Sequence, residues 1–379
     1  MPFDLTDFPG ASPEDRAAGR SSRRLVAAWL LGVAALIWAM VVLGGATRLT
    51  GSGLSIMEWD PIVGALPPLS QAEWERLFAL YKQIPQYALL HAHTGFELAD
   101  FRHIFRLEWA HRLLGRIIGA AFLLPMLVLW AGGRIERRLL PRLGLLFVLG
   151  GLQGAVGWFM VASGFFPDST AVAPARLVIH LVLALTLFGA ILWTALTVLR
   201  PSPRRDASAS LYWLSRLALG AAALTIVAGG FVAGTHAGLT YTTFPLMDGQ
   251  IVPEGYAALH PFVLNLTRNI ATVQFDHRAL ATITAVLGLA AFVAGLLDPR
   301  RPAFAVTALG AVTLLQYALG VATLLNVVPV GLAVAHQGGA VAVLAAAILL
   351  AHATRNPLAL KTAPIGDTSV GTPAKPASP

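Results

Sequence analysis

Apolar residues along the chain gather into eight long runs, at roughly 25–46, 107–131, 142–162, 175–199, 212–234, 272–297, 303–325 and 331–353. Crossing a ~30 Å hydrocarbon layer at 1.5 Å per residue takes ~20 apolar residues in a helix, and each run supplies about that many. The pattern therefore predicts an all-α integral membrane protein with eight transmembrane helices. Residues 1–24 bear Pro, Ser, Asp and Arg with little periodicity and read as a tail. The first run is long enough to span and follows this arginine-bearing lead, so it reads as an anchor and not as a cleavable signal. A long segment, 47–106, separates the first two runs, a short linker, 200–211, separates the fourth and fifth, and 354–379 reads as a disordered tail.

Composition agrees with this picture. Of 379 residues, 56% are hydrophobic and 12% charged, against about 45–50% and about 25% in soluble domains. The net charge of +8 does not point to nucleic acid, because the basic residues recur in short clusters between the apolar runs. Arg16, Arg20, Arg23 and Arg24 precede the first run. Arg134, Arg137, Arg138 and Arg142 follow the second, Arg200, Arg204 and Arg205 the fourth, Arg300 and Arg301 the sixth, and Arg355 and Lys361 the last. The bias predicts that both termini lie in the cytoplasm and that 47–106 lies outside. The absence of cysteine excludes disulfides, thiolate ligands and thiol nucleophiles.

The two halves repeat each other. Gly44-Gly45-Ala46-Thr47-Arg48-Leu49-Thr50-Gly51 at the first exit is echoed by Gly229-Gly230-Phe231-Val232-Ala233-Gly234-Thr235-His236 at the fifth. Leu152-Gln153 with Gly157 recurs 163 residues later as Leu315-Gln316 with Gly320. Glu108-Trp109-Ala110-His111-Arg112 recurs 166 residues later as Gln274-Phe275-Asp276-His277-Arg278. Four runs lie in each half, so both repeats traverse the membrane in the same direction. The expected architecture is two four-helix bundles, 25–199 and 212–353, each with room for a cofactor between facing helices.

Four of the ten histidines share a depth. His111, His180, His277 and His336 each lie about five residues into an even-numbered run, roughly 8 Å below the outer boundary. Two imidazoles at one height on two helices suit a planar macrocycle ligated on both faces, and imidazole is a common axial ligand of haem iron. Taken singly, a histidine in a membrane helix more often only hydrogen-bonds a neighbour. Four at one level, two per repeat, favour haem. Mononuclear zinc would need three or four converging ligands and has too few acidic partners. His91, His93, His103, His236 and His260, in outer segments, and His352, at an inner end, read as ordinary polar residues.

Charged residues near the outer boundary refine the reading. Glu108 shares a helix face with His111 and forms an i,i+4 pair with Arg112. As a carboxyl beside a macrocycle it can shuttle protons, whereas Gln274 in the second repeat cannot. Arg112 and Arg278 are candidates for holding haem propionates; the rival reading is that these groups balance one another or snorkel to the surface. The aromatics of the outer segment, Trp59, Trp74, Phe78, Tyr81, Tyr87, Phe96, Phe101 and Phe105, are expected mostly in the headgroup belt.

At these residues the chain resembles the haem A synthase family. The first exit, Gly44 to Ser55, looks like the family's, as do Trp59, Pro61, Gly64, Pro67 and Pro68 and Tyr81-Lys82 with Pro85 and Tyr87. Glu108 to Arg116 is the most specific block, and Thr243-Phe244-Pro245-Leu246-Met247-Asp248-Gly249 the next. One departure is Thr242, where the family pattern leads one to expect Asn. The resemblance spans nearly all of 25–353. It implies oxidation of the C8 methyl of haem O to a formyl group, with water as the oxygen source, giving haem A for cytochrome c oxidase assembly. It implies a resident haem b on His277 and His336, and substrate haem with His111, His180 and Glu108. Having no cysteine, the chain resembles the class found in mitochondria and alphaproteobacteria, in the bacterial inner membrane, with the haem sites near the outer face. The implied partners are haem O, membrane lipid, haem O synthase as a donor of greasy substrate, an unidentified electron donor and, in principle, further copies of the chain. The rival function is a di-haem b electron-transfer protein of the quinone oxidoreductase kind, which leaves Glu108 and the outer segment without a role. A transporter would call for paired broken helices, which the runs lack.

Overall fold

A computed structural model describes residues 13–59, 63–201, 207–299 and 301–355. Its α-helices are α1 (Pro13–Leu49), α2 (Gln71–Tyr81), α3 (Leu98–Ala131), α4 (Leu140–Ala162), α5 (Pro174–Leu199), α6 (Ala209–Thr235), α7 (Asn265–Arg268), α8 (Ile270–Leu297), α9 (Ala303–Leu325) and α10 (Val330–Ala353). Among the described residues eight helices are long and apolar enough to cross a membrane, all but α2 and α7. They match the eight apolar runs. Their apolar side chains also point outward, as in a protein solvated by lipid. Leu124 and Val128 on α3, Leu145 and Val148 on α4, Val286 on α8 and Leu315 on α9 are all exposed.

Two helix starts differ from the expectation. Helix α1 begins at Pro13, so the part of the 1–24 tail that is described is helical. Apolar periodicity marks only the stretch facing hydrocarbon; Ala17, Ala18, Arg20, Arg23 and Arg24 are good helix formers that carry the turn onward. Helix α3 begins at Leu98, nine residues before 107, because Glu97 and Asp100 form a capping box there. The tail from 356, Arg204 and Arg205 in the 200–211 linker, and Arg300 lie outside the described residues.

The segment 47–106 is not a plain loop. Ser70 caps α2 by accepting from the Glu73 amide, and α2 sets Trp74, Phe78 and Tyr81 on one face. These rings pack with Phe101 and Phe105 of α3 and with Tyr87 and Phe96 into a small aromatic core. Trp74 and Phe105 meet edge-on at 5.0 Å, and Tyr81 is fully buried. The headgroup-belt reading of these aromatics is therefore corrected: the helical spacing of α2 gives them each other as partners. Trp59 alone among those eight is strongly exposed.

Within each half, helices contact in ring order. In the first, α1 packs on α3 and α5, and α4 on α3 and α5; in the second, α6 packs on α8 and α10, and α9 on α8 and α10. Close approach at α8–α9 depends on small residues: a Cβ on Gly295 would lie 2.5 Å from Val306, and one on Gly310 2.7 Å from Phe292. The halves meet along α1–α10 and α5–α6. At the first seam the Trp38 indole donates to the Gly338 carbonyl at 2.9 Å, and Gln337 donates to the Val41 carbonyl at 2.7 Å. A Cβ on Gly338 would already lie 3.0 Å from Val42. Gly338→Leu is thus expected to lower stability by about 1–3 kcal/mol. Thermal unfolding in detergent checks it; an unchanged midpoint would show that α1 and α10 do not meet this closely.

Candidate functional site

His111 and His180 lie on α3 and α5, and His277 and His336, whose rings face each other, on α8 and α10. Each ring is seated on a glycine of the helix that precedes its own in the chain's span order. A Cβ on Gly44 would lie 2.9 Å from Cε1 of His111, and one on Gly157 2.9 Å from that of His180. The same construction gives 2.9 Å from Gly229 to His277 and 2.8 Å from Gly320 to His336. Those glycines lie five or six residues before the ends of α1, α4, α6 and α9. This puts the four rings about 8 Å in from those ends. The common level survives even though α3 starts early and carries His111 thirteen residues from its first residue.

The rings' nitrogens have distinct partners. His277 Nδ1 lies 3.1 Å from the Thr225 carbonyl. A carbonyl only accepts, so the proton sits on Nδ1 and the Nε2 lone pair is left for a ligand, as in metal-bound histidines. Gln316 Nε2 lies 3.0 Å from His336 Nδ1 and donates to the His336 carbonyl at 2.9 Å. Gln153 Nε2 lies 3.2 Å from Nδ1 and 3.3 Å from Nε2 of His180 and donates to the His180 carbonyl at 3.1 Å. His111 Nδ1 is buried without a partner among the described residues. Gln153 and Gln316 stood out in the sequence only as repeat landmarks; their shared offset of 163 was the signal of a shared task.

The second pair fits a bis-imidazole iron. The ring centroids of His277 and His336 are 6.5 Å apart, with the planes crossed at 84°. With metal–imidazole bonds of about 2 Å, rings on opposite sides of one metal have centroids roughly 6 Å apart. Among the described residues no three His, Asp or Glu side chains converge.

Glu108 is 3% exposed and fully engaged. Its Oε2 accepts from the Ser55 amide at 2.7 Å, the Ser55 hydroxyl at 2.7 Å and the Ile56 amide at 2.9 Å. Its Oε1 accepts from Arg112 Nε at 3.0 Å and Nη2 at 2.7 Å. Arg112 also donates to the Ile56 and Glu58 carbonyls, at 2.6 Å and 3.0 Å. The ion pair thus clasps the exit of α1 to α3, next to His111. In the second half Arg278 donates to the Tyr241 and Thr243 carbonyls at 2.7 Å and 2.8 Å, and Gln274 donates to the Tyr241 carbonyl at 2.8 Å. Arg278 Nε and Gln274 Oε1 remain buried without partners among the described residues. Of the two arginines, Arg278 therefore has a donor to spare, while Arg112 is spent on Glu108 and the loop.

The other histidines are placed apart from the pairs. His91 ends a π-helical turn, Tyr87–His91, and lies 4.3 Å from the Phe96 ring. His93, His103, His236 and His260 are exposed. His236 caps α6 in the left-handed region at φ 57°. His352 is buried at the opposite end of α10.

Fold and site together define a multi-pass helical membrane protein with half-buried histidines, two in each half, suited to a macrocyclic metal. Residues 27–348 match the family of cytochrome oxidase assembly proteins, and the chain belongs to that family. It is 60% identical over 338 residues to the haem A synthase of Granulibacter bethesdensis, covering 88% of each chain. It is 48% identical to haem A synthase 2 of Acidiphilium cryptum, covering 89% of this chain and 94% of that one. It is 47% identical to the haem A synthase of Methylobacterium radiotolerans, covering 92% and 93%.

Glu108→Ala would remove the acceptor of the Ile56 amide and the Ser55 hydroxyl, the shorter of the two bonds of the Ser55 amide, and the charge partner of Arg112. The expected loss is on the order of 3 kcal/mol in local stability, or roughly hundredfold faster amide exchange at Ser55 and Ile56. Hydrogen exchange of the detergent-solubilised protein checks it. Equal protection in the variant would mean that Glu108 does not hold this loop.

Proposed function

We propose that this protein works as a haem A synthase in cytochrome oxidase assembly, oxidising the C8 methyl of haem O to the formyl group of haem A. The observation that carries the reading is the asymmetry between two otherwise matched histidine pairs, one beside a carboxylate and the other beside an amide. Membership of the cytochrome oxidase assembly family supports it, as does the name haem A synthase borne by relatives that align with most of the chain. The electron-transfer alternative gains no support from either.

In this reading His277 and His336 hold a resident haem b. Thr225 orients His277 with its Nε2 free for iron, whereas the donor-only Nε2 of Gln316 would have to turn away from His336 Nδ1 for that ring to bind iron through Nε2; the spare Nε of Arg278 suits a propionate. The haem supplies one-electron redox capacity next to the reacting bundle. His111 and His180 hold the substrate haem O, with Gln153 orienting His180. Conversion of the methyl group with water to a formyl group releases four electrons and four protons. With water as the oxygen source those electrons have to pass to an external oxidant, so the redox partner expected from the sequence as an electron donor would instead have to accept electrons, and the protons need a base at the site.

Glu108 is the proposed base. With both oxygens engaged, it can accept a proton at Oε2 only by displacing Ser55 or Ile56, or at Oε1 by loosening Arg112. Proton uptake would then be tied to movement of the α1 exit loop. The first pair would do chemistry while the second, with Gln274, holds its haem. The bundle units would be 25–199 and 212–353, in a bacterial inner membrane, with both termini cytoplasmic and the histidines near the outer face. Haem O synthase is the proposed source of substrate.

Pigment extraction with mass analysis, after co-expression with a haem O supply, tests this. Wild type is expected to yield haem A, and Glu108→Gln to accumulate haem O or a partly oxidised haem. His336→Ala is expected to lose haem b. Wild type carrying only haem b, with no haem A formed, would defeat the proposal.

A further inference from the structure

At the end of the helices remote from the histidine pairs, α5, α9 and α10 enclose a cleft of roughly 450 Å³. His352 at this end lies sixteen residues beyond His336 on α10, about 24 Å along the helix. The cleft wall includes Leu199, Phe304 and Leu349, and its polar rim is Arg200, His352 and Arg355. Phe304 is 78% exposed and Leu199 40%, so the slot opens sideways where lipid would lie.

The rim carries positive charge that is built in and, among the described residues, not compensated. The His352 ring meets Trp193 edge-on at 5.0 Å. Arg355 Nη1 lies 2.6 Å from His352 Nδ1, and a guanidinium only donates, so Nδ1 is an acceptor. The opposite nitrogen, Nε2, then carries the proton and faces Thr197 Oγ1 at 3.2 Å. Arg355 also donates to the His352 carbonyl at 2.9 Å and to the Arg200 carbonyl. These bonds hold its guanidinium at the rim. Burial and the neighbouring Arg200 both lower its affinity for its own proton. The Arg200 side chain makes no hydrogen bond or ion pair among the described residues, and no carboxylate there pairs with either arginine.

We propose that this cleft binds an anionic phospholipid, whose phosphate bridges Arg200 and Arg355 while one acyl chain lies against Leu199, Phe304 and Leu349. Two guanidiniums on one rim with no carboxylate partner among the described residues invite a phosphate. The apolar slot between helices selects a lipid over a free anion, which would have no use for it. The site is separate from the haem pairs, so its test stands apart from the catalytic reading.

The test is native mass spectrometry of the purified full chain in detergent, supplied with equal amounts of phosphatidylglycerol and phosphatidylcholine. Thermal unfolding is followed in parallel with each lipid and with inorganic phosphate. Wild type is expected to retain phosphatidylglycerol about tenfold over phosphatidylcholine and to be stabilised by it. Arg200→Gln alters a side chain that makes no hydrogen bond among the described residues, so the protein is expected to stay folded; it is expected to cut that preference several-fold. Arg355→Gln is expected to do the same. Equal retention of the two lipids, an unchanged preference in Arg200→Gln, or equal stabilisation by inorganic phosphate would each overturn the proposal.

Discussion

An imidazole ring can lie against the backbone of a neighbouring helix only where that helix has no side chain in the way. This chain meets the condition four times, at Gly44, Gly157, Gly229 and Gly320, each facing a histidine at a distance a Cβ would make impossible. The contacts fall on α1–α3, α4–α5, α6–α8 and α9–α10, so each fixes the approach of two consecutive spans. Helices held this closely leave the ring one direction to point, into the space between facing spans. Its level in the membrane is set by the glycine's place near a helix end, not by where its own helix begins. That is why the early start of α3 does not disturb the alignment.

A second constraint acts on the loops. In both halves an arginine one residue after the histidine reaches two carbonyls of the preceding exit, Ile56 and Glu58 or Tyr241 and Thr243. The fork is the same; the neighbour three residues before the histidine is not. Glu108 accepts from backbone amides, whereas Gln274 donates to a carbonyl. One atom's change from nitrogen to oxygen reverses the polarity of the clasp and adds a negative charge beside one histidine pair. A carboxylate engaged by five donors is a strong fastener, so any proton chemistry there has to work against the fastening.

The eight spans were legible because hydrocarbon thickness demands an unbroken apolar run, which periodicity reports directly. The starts of α1 and α3 were not, since beyond the membrane a helix is polar and its limit is set by formers such as Ala17 or a capping pair such as Glu97 and Asp100. The histidines, the Glu108/Gln274 contrast and the glutamine landmarks were readable from repetition. Which glycine receives which ring, and that Arg112 serves Glu108 and two carbonyls, depends on how helices pack, which spacing along one chain does not encode. The aromatics of 47–106 pack together where a headgroup belt is expected, because lipid-belt and buried aromatics look alike in sequence. The helical spacing of Trp74, Phe78 and Tyr81 was the available hint.

The two histidine pairs are also mechanically joined. Gln337 follows His336 directly and donates to the Val41 carbonyl, three residues before the glycine that seats His111. Gly45 leaves room for it: a Cβ there would lie 2.6 Å from Gln337 Oε1. Trp38 closes the same seam on the Gly338 carbonyl. Small residues and two hydrogen bonds thus hold α1 and α10 in one register, and these helices respectively seat a histidine of the first pair and carry one of the second. The spacing between the pairs is set by this seam within the membrane, whereas the Glu108 clasp governs the loop above the first pair alone. Under the function proposed above, loosening that loop would open the substrate site without changing its distance from the resident haem, which suits exchange of a large substrate beside a cofactor that stays in place.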